Sequence, residues 1–158
     1  MWYLKLILVI VFAFVLYQDF KSRLVYWFLY PIIGVLAFAI QLQNLPVSIA
    51  LTNLGFNLLF VVLILLVSTL YIKFRNLDFK NTIGIGDILF FLFIAGTFSI
   101  VSFLVLFVFS LVFSLILHIV LNNKKEQATV PLAGYMSLFF GVVYAVSFCF
   151  NNAFLYAY

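Results

Sequence analysis

Six apolar segments separated by short polar turns run along the chain. A helix needs roughly 20 residues to cross a bilayer core about 30 Å thick. The predicted spans cover residues 2–18, 25–42, 49–72, 83–98, 99–121 and 131–150. This pattern predicts an all-α, polytopic membrane protein with about six transmembrane helices in a single domain over residues 1–158. The fourth span is the shortest, and a split or re-entrant segment is the alternative there.

Composition supports lipid as the solvent of this chain. Hydrophobic residues make up 68% of the sequence and charged residues only 8%, whereas soluble domains carry roughly 25% charged residues. A domain of this size leaves much of its surface exposed. Because most of that surface would be apolar, we expect it to face lipid and not water. The 22 Phe residues fit positions that face lipid.

The basic residues predict an orientation in the membrane. Loops rich in Lys and Arg stay in the cytoplasm. Seven of the eight basic residues follow the first, third or fifth span: Lys21, Arg23, Lys73, Arg75, Lys80, Lys124 and Lys125. Six spans put these turns on one side, so both termini are expected outside the cytoplasm. The net charge of +4 therefore reflects orientation, and no nucleic-acid partner is expected.

Two of the four acidic residues stand at the edges of apolar segments. Asp19 ends the first span, and Asp87 opens the fourth within the stretch Gly84-Ile85-Gly86-Asp87. The charge count places both on the cytoplasmic side at similar depth. We therefore expect one site containing both carboxylates. Asp78 and Glu126 lie in basic loops and are expected to be solvated.

Paired carboxylates can hydrolyse an amide without a metal or a nucleophilic serine. An ionised carboxylate in a membrane segment is costly, which makes it a functional hypothesis by default. Two carboxylates in one site keep one proton between them, so one can activate water while the other protonates a carbonyl oxygen. Gly84 and Gly86 would let the backbone leave helical geometry and a substrate strand approach. Taken singly, Asp19 also fits a solvated interface residue, and Asp87 also fits a helix N-cap.

The remaining polar residues favour structural roles, and neither a metal nor a cofactor is expected. His118 has no second ligand at metal-binding spacing, and Cys149 has no partner for a disulfide or a zinc site. Small residues spaced four or seven apart predict close helix–helix faces: Ser110 with Ser114, and Gly134 with Gly141.

The chain resembles the type IV prepilin peptidase and preflagellin peptidase family, membrane aspartyl proteases with a GxGD motif. Three stretches carry the resemblance, in the family's order along nearly the whole chain. They are the run from Asp19 to Trp27 after the first span, the GxGD stretch from Gly84 to Asp87, and Val130-Pro131-Leu132-Ala133-Gly134-Tyr135 before the last helix.

The resemblance implies a helical membrane fold with Asp19 and Asp87 as the catalytic pair at the cytoplasmic face. It also makes Arg23, Lys21 and Pro131 candidates for supporting the site or its substrate. Many bacterial relatives carry paired CxxC motifs linked to methyltransfer; this sequence has none, so peptidase activity alone is expected. The Lys that often follows the motif is replaced in the run Ile88-Leu89-Phe90, and the usual Ile-Pro after the first aspartate is replaced by Val25-Tyr26.

The resemblance thus predicts a multi-pass endopeptidase of the cytoplasmic (inner) membrane. Its substrates would be pilin-like or flagellin-like precursors, cut between a short basic leader and the hydrophobic segment. Prepilin-like proteins and lipid are the expected partners, and no oligomeric state is predicted. Two other functions stay open: a small proton- or cation-coupled transporter, and a non-catalytic protein that binds pilin-like segments during assembly.

Overall fold

The computed structural model describes residues 2–76, 84–121, 130–149 and 153–156, which are helical apart from short turns. Among these residues lie six helices of ten residues or more and a short seventh. Their bounds are α1 Trp2–Ser22, α2 Leu29–Asn44, α3 Val47–Phe74, α4 Ile85–Ile94, α5 Ile100–Leu121, α6 Leu132–Val146 and α7 Ala153–Tyr156. The predicted all-α fold is confirmed for this part of the chain. The loop residues Asp78, Lys80, Lys124, Lys125 and Glu126 lie outside it.

Helix length divides the six main helices into two groups. The helices α1, α3 and α5 are long and apolar enough to cross a membrane, which indicates a membrane protein. The helices α2, α4 and α6 are apolar but shorter. At 1.5 Å per residue, the ten residues of α4 extend only about 15 Å.

The predicted fourth span is too long at its C-terminal end. Its helix stops at Ile94, and the turn through Ala95 and Ser99 leads directly into α5. Hydropathy missed this turn because its residues are also largely apolar. The predicted start at Ile83 lies outside the described residues.

Two buried amide side chains bind the carbonyl groups exposed by that turn. Asn57 Nδ2 donates to the carbonyl oxygens of Ala95 and Phe98, at 2.9 and 3.0 Å. Gln41 Nε2 donates to the same Phe98 oxygen at 3.2 Å. Irregular backbone inside a membrane is tolerated only where its polar groups are buried in protein and satisfied. The amide side chains from α3 and α2 therefore satisfy the carbonyl groups that become free where α4 ends early.

Helices α1 and α6 form the most extensive helix pair and run antiparallel. Near the start of α1, Lys5 contacts Ser147 at the end of α6; near the end of α1, Asp19 contacts Gly134 at the start of α6. Between them, a Cβ on Gly141 would lie 3.5 Å from Phe12 Cβ, an ordinary contact. The expected close face along Gly134 and Gly141 thus packs against α1.

A cluster of aromatic rings fixes α4 against this pair. The Phe12, Phe90 and Phe140 ring centroids, one from each helix, lie 6.4 Å apart in every pairing. Each such ring pair contributes about 0.5–1.5 kcal/mol beyond the area it buries. Phe90 lies one helical turn after Asp87, so the cluster directly positions the start of α4.

Candidate active site

Asp19 lies in the last turn of α1 and faces the start of α6. Its side chain is 8% exposed, and its Oδ2 accepts a hydrogen bond of 2.6 Å from the Gly134 amide. The helix ends three residues later because Arg23 adopts a left-handed conformation, with φ of 56°. Its amide donates to the Asp19 carbonyl at 3.2 Å. A left-handed residue is a common helix terminator, and here it stops α1 beside the carboxylate.

Asp87 is the third residue of α4 and reaches the same end of α6. Its Oδ1 accepts a hydrogen bond of 2.9 Å from the Ala133 amide. The N-cap of α4 is Gly84, in an extended conformation, so the N-cap interpretation of Asp87 is wrong. The Asp87 carboxylate instead bends back over its own helix start, with Oδ2 3.0 Å from the Cβ that Gly84 lacks.

The two carboxylates therefore accept hydrogen bonds from consecutive backbone amides at the N-terminus of one helix. The first amides of a helix have no partner within the helix, and the aligned peptide dipoles give that end a partial positive charge. Ala133 and Gly134 supply two such amides, and Pro131 precedes them as the N-cap. The carboxylates are near enough to interact electrostatically. The helix end thus collects two acidic groups from helices far apart in the chain.

Gly134 is needed for the approach of Asp19. A Cβ on Gly134 would lie 2.9 Å from Asp19 Oδ2 and 3.0 Å from Asp19 Cβ. Side chains almost never pack that closely, so any larger residue would push α1 and α6 apart here. From the sequence, Gly134 was predicted to pack against another helix and belongs to the stretch after Pro131 that carries the resemblance. Its contact with Asp19 was not predicted.

The supporting residues named from the sequence take different positions. Arg23 lies close enough to both carboxylates to act on them electrostatically. Lys21 instead turns along α1, where its ammonium donates to the Tyr17 hydroxyl at 3.1 Å and lies 5.4 Å from that ring's centre. Pro131 is the N-cap of α6, the helix whose first amides bind both carboxylates.

The two motif glycines serve close packing and helix initiation. Neither has a positive φ, so left-handed backbone is not their role. Gly84 begins α4, and Gly86 lies against Tyr30: a Cβ there would be 2.6 Å from the Tyr30 hydroxyl oxygen. Sequence reasoning missed Tyr30 because an aromatic residue near a span edge reads as an interfacial anchor.

The other polar candidates lie away from the carboxylates or bond within their own helix. Ser110 and Ser114 are buried and donate to carbonyls of α5, at 2.7 Å each. Cys149 is exposed beyond the far end of α6. Within the described ranges, no group of three or more His, Cys, Asp or Glu residues could bind a metal ion.

Comparisons with known proteins give no neighbour: no family model, curated protein or solved structure matches this chain.

Proposed function

We propose that the protein is a membrane aspartyl endopeptidase with Asp19 and Asp87 as its catalytic pair. The observation that carries the proposal is the binding of both carboxylates to consecutive amides at the start of α6. Two of the chain's four acidic residues meet at this one helix end, where Asp19 is buried and Asp87 is half-buried. A single carboxylate would already complement the helix end, so the second one is explained by chemistry.

The pair can cleave an amide by general acid–base catalysis. Two adjacent carboxylates rarely ionise together, so one is charged and the other protonated. The charged member removes a proton from water, whose oxygen attacks the scissile carbonyl carbon. The protonated member gives its proton to the carbonyl oxygen. As the tetrahedral intermediate collapses, the C–N bond breaks and the leaving nitrogen takes the proton that the first aspartate removed from water. One hydroxyl of the intermediate returns a proton to the other aspartate, so a carboxylic acid and an amine leave and the pair again holds one proton.

The proposed substrate is a precursor with a short basic leader followed by a hydrophobic segment. Its support is the resemblance in the three motif stretches, together with the location of the site at the end of an apolar bundle. Such a precursor would lie with its hydrophobic segment in the bilayer and its cleavage site near the carboxylates. The class includes pilin-like and flagellin-like precursors.

We place the site at the cytoplasmic face of the inner membrane, with both termini outside and six membrane helices, of which α4 is too short to cross the bilayer by itself. Support comes from charge: Lys21 and Arg23 are at the carboxylate end of α1, and Lys5 is at its other end. Exposed Cys149 would then react with a membrane-impermeant maleimide from the outer face. Labelling only from the cytoplasmic face would show that the protein has the opposite orientation.

The direct test is processing of a co-expressed prepilin-like precursor. Asp19→Asn and Asp87→Asn should each abolish cleavage while the variant still accumulates in the membrane, because an amide can neither share the proton nor activate water. Asp78→Asn makes the same chemical change in a predicted loop and should leave cleavage intact.

Full cleavage by either site variant would remove the mechanism. Ion flux that depends on Asp87, in vesicles without peptidase activity, would support the transport alternative. A precursor that crosslinks to the protein and is never cut would support the assembly alternative.

A further inference from the structure

An apolar groove opens on the surface of the bundle between α1 and α5. Both helices pack against α6, whereas α1 and α5 are not in extensive contact with each other, so α6 forms the floor of the gap. Leu117 of α5 and Leu138 of α6 line it together with residues from the second half of α1. The cavity has a volume of about 690 Å³, within the range of roughly 300–1,000 Å³ that is typical of small-molecule sites.

The groove has the length of one leaflet of the membrane. On α1 it runs from Ala13 to Lys21, about 12 Å at 1.5 Å per residue. Its wall on α5 ends at Leu121, the last residue of that helix. A hydrocarbon core about 30 Å thick gives each leaflet roughly 15 Å. The groove therefore covers one leaflet, and it begins at the end of the bundle that holds the carboxylates.

Among the described residues that line this groove, Lys21 is the one that carries a charge. Its ammonium donates to the Tyr17 hydroxyl at 3.1 Å and lies 5.4 Å from the centre of the Tyr17 ring. Tyr17 itself lines the groove, so the bond holds the ammonium at the groove mouth. It uses one of the three donors of an ammonium, and a neutral hydroxyl does not compensate the charge. The groove thus complements a molecule with a hydrocarbon chain and an anionic head.

Length and charge both disfavour the hydrophobic segment of a precursor as the occupant. A helix that spans the bilayer is about 30 Å long, more than twice the length of the groove. The leader of the proposed precursor is basic, and Lys21 would repel it at the end where cleavage takes place. A phospholipid meets neither conflict, because its phosphate lies at the headgroup level and its chains extend through a single leaflet.

We propose that the groove between α1 and α5 binds one anionic phospholipid, with an acyl chain against α6 and the phosphate on the Lys21 ammonium. In the proposed orientation this is the cytoplasmic side, where basic pockets between membrane helices bind anionic headgroups. The site is separate from the carboxylate chemistry, which needs no lipid. Lys21 lies in the last turn of α1 with Asp19, and Tyr135 of the groove directly follows Gly134. Bound lipid therefore stabilises the contact between α1 and α6 at the carboxylate end.

Lipid binding is measured on the detergent-purified protein by native mass spectrometry and by the melting temperature. The probes are dioleoyl phosphatidylglycerol, which is anionic, and dioleoyl phosphatidylcholine, which has the same chains and no net charge. Phosphatidylglycerol should bind more tightly and raise the melting temperature further, because a ligand of the folded state stabilises it. Glycerol 3-phosphate, which has the phosphate without the chains, should do neither at the same concentration. Equal affinity for the two lipids, or an equal effect of glycerol 3-phosphate, would overturn the proposal.

Substitutions test the two halves of the site separately. Lys21→Met should weaken phosphatidylglycerol binding about fivefold, the contribution of one lysine near an anionic surface, and Lys21→Arg should retain it. The matched control is Lys73→Met, which removes another exposed lysine from the last turn of a long helix, α3. Ala13→Phe should fill the groove and weaken binding of both lipids. Val108→Phe enlarges an exposed side chain of α5 outside the groove and should leave binding unchanged.

Three results would overturn this site. The first is phosphatidylglycerol binding that is unchanged in Lys21→Met. The second is an equal loss in Lys73→Met, which would indicate general attraction to a basic protein. The third is an Ala13→Phe variant that binds phosphatidylglycerol normally and no longer processes a precursor, since the groove would then belong to the precursor. The Lys21 side chain is exposed, so its variants keep the test decisive even if Ala13→Phe does not fold.

Discussion

The two ends of α6 both contact α1, and each receives the charge that its helix dipole favours. At the C-terminal end, Lys5 donates to the Ser147 carbonyl oxygen and hydroxyl oxygen, both at 3.1 Å. At the N-terminal end, Asp19 and Asp87 accept from consecutive amides. Negative groups at the start and positive groups at the end of a helix are the stabilising arrangement. Electrostatics alone therefore explains the sign at each end.

The difference between the ends lies in the amount of charge. One ammonium group at the C-terminal end is matched by two acceptors and lies 5.7 Å from the centre of the Phe148 ring. The N-terminal end has two acidic groups from separate helices, although one would satisfy the dipole. It also depends on Gly134 for the close approach of Asp19. Under the proposed function, the second acidic group is the feature that sets the N-terminal end of α6 apart from its C-terminal end.

The largest effect is expected from Gly134→Ala, which breaks the carboxylate end. The new Cβ would meet Asp19 at 2.9–3.0 Å, and overpacking of this kind costs about 1–3 kcal/mol. Processing should fall by at least about a hundredfold, because small displacements of catalytic groups have effects of that size.

Gly141→Ala is the matched control on the same helix face. Its Cβ would meet Phe12 at an ordinary 3.5 Å, and alanine favours helix by about 1 kcal/mol over glycine. Stability should be unchanged or higher, and processing should be intact. Equal losses in the two variants would show that both glycines serve helix packing alone.

A smaller effect is expected from Lys5→Met, which breaks only the lysine end. The substitution leaves the Ser147 carbonyl without this buried donor, which should lower the free energy of unfolding by about 1–3 kcal/mol. Processing per folded molecule should remain at the wild-type level. Lys21→Met, at an exposed position, should change stability by less than about 1 kcal/mol.

The two readouts for Lys5→Met are the melting temperature in detergent and the rate of precursor cleavage. A fully stable variant that has lost processing would contradict the division between a structural end and a functional end.

The sequence predicted the helices well because lipid imposes a simple requirement. Six apolar segments became six helices, since each backbone polar group in a membrane needs an internal partner. The predicted end of the fourth span was wrong because side-chain amides of Gln41 and Asn57, on other helices, bind the carbonyl groups of the turn after α4. Such long-range partners leave no mark on the local pattern.

The acidic half of the site was readable from the sequence, whereas the amide half was not. Asp19 and Asp87 stand out as lone carboxylates at the edges of apolar segments. Backbone donors at Ala133 and Gly134 have no residue type that reveals them, since any non-proline residue has an amide. Lys5 was treated only as the exception in the charge count, and its partner Ser147 is 142 positions away.

The most direct test of the central claim is whether positions 19 and 87 form one site in the membrane. Asp19→Cys and Asp87→Cys, combined in a Cys149→Ser background, would be treated with a short thiol-to-thiol crosslinker in native membranes. We predict rapid intramolecular crosslinking. The control pair Lys5→Cys and Asp87→Cys joins opposite ends of the bundle and should react far more slowly. Crosslinking of the 19/87 pair no faster than the control would contradict the account.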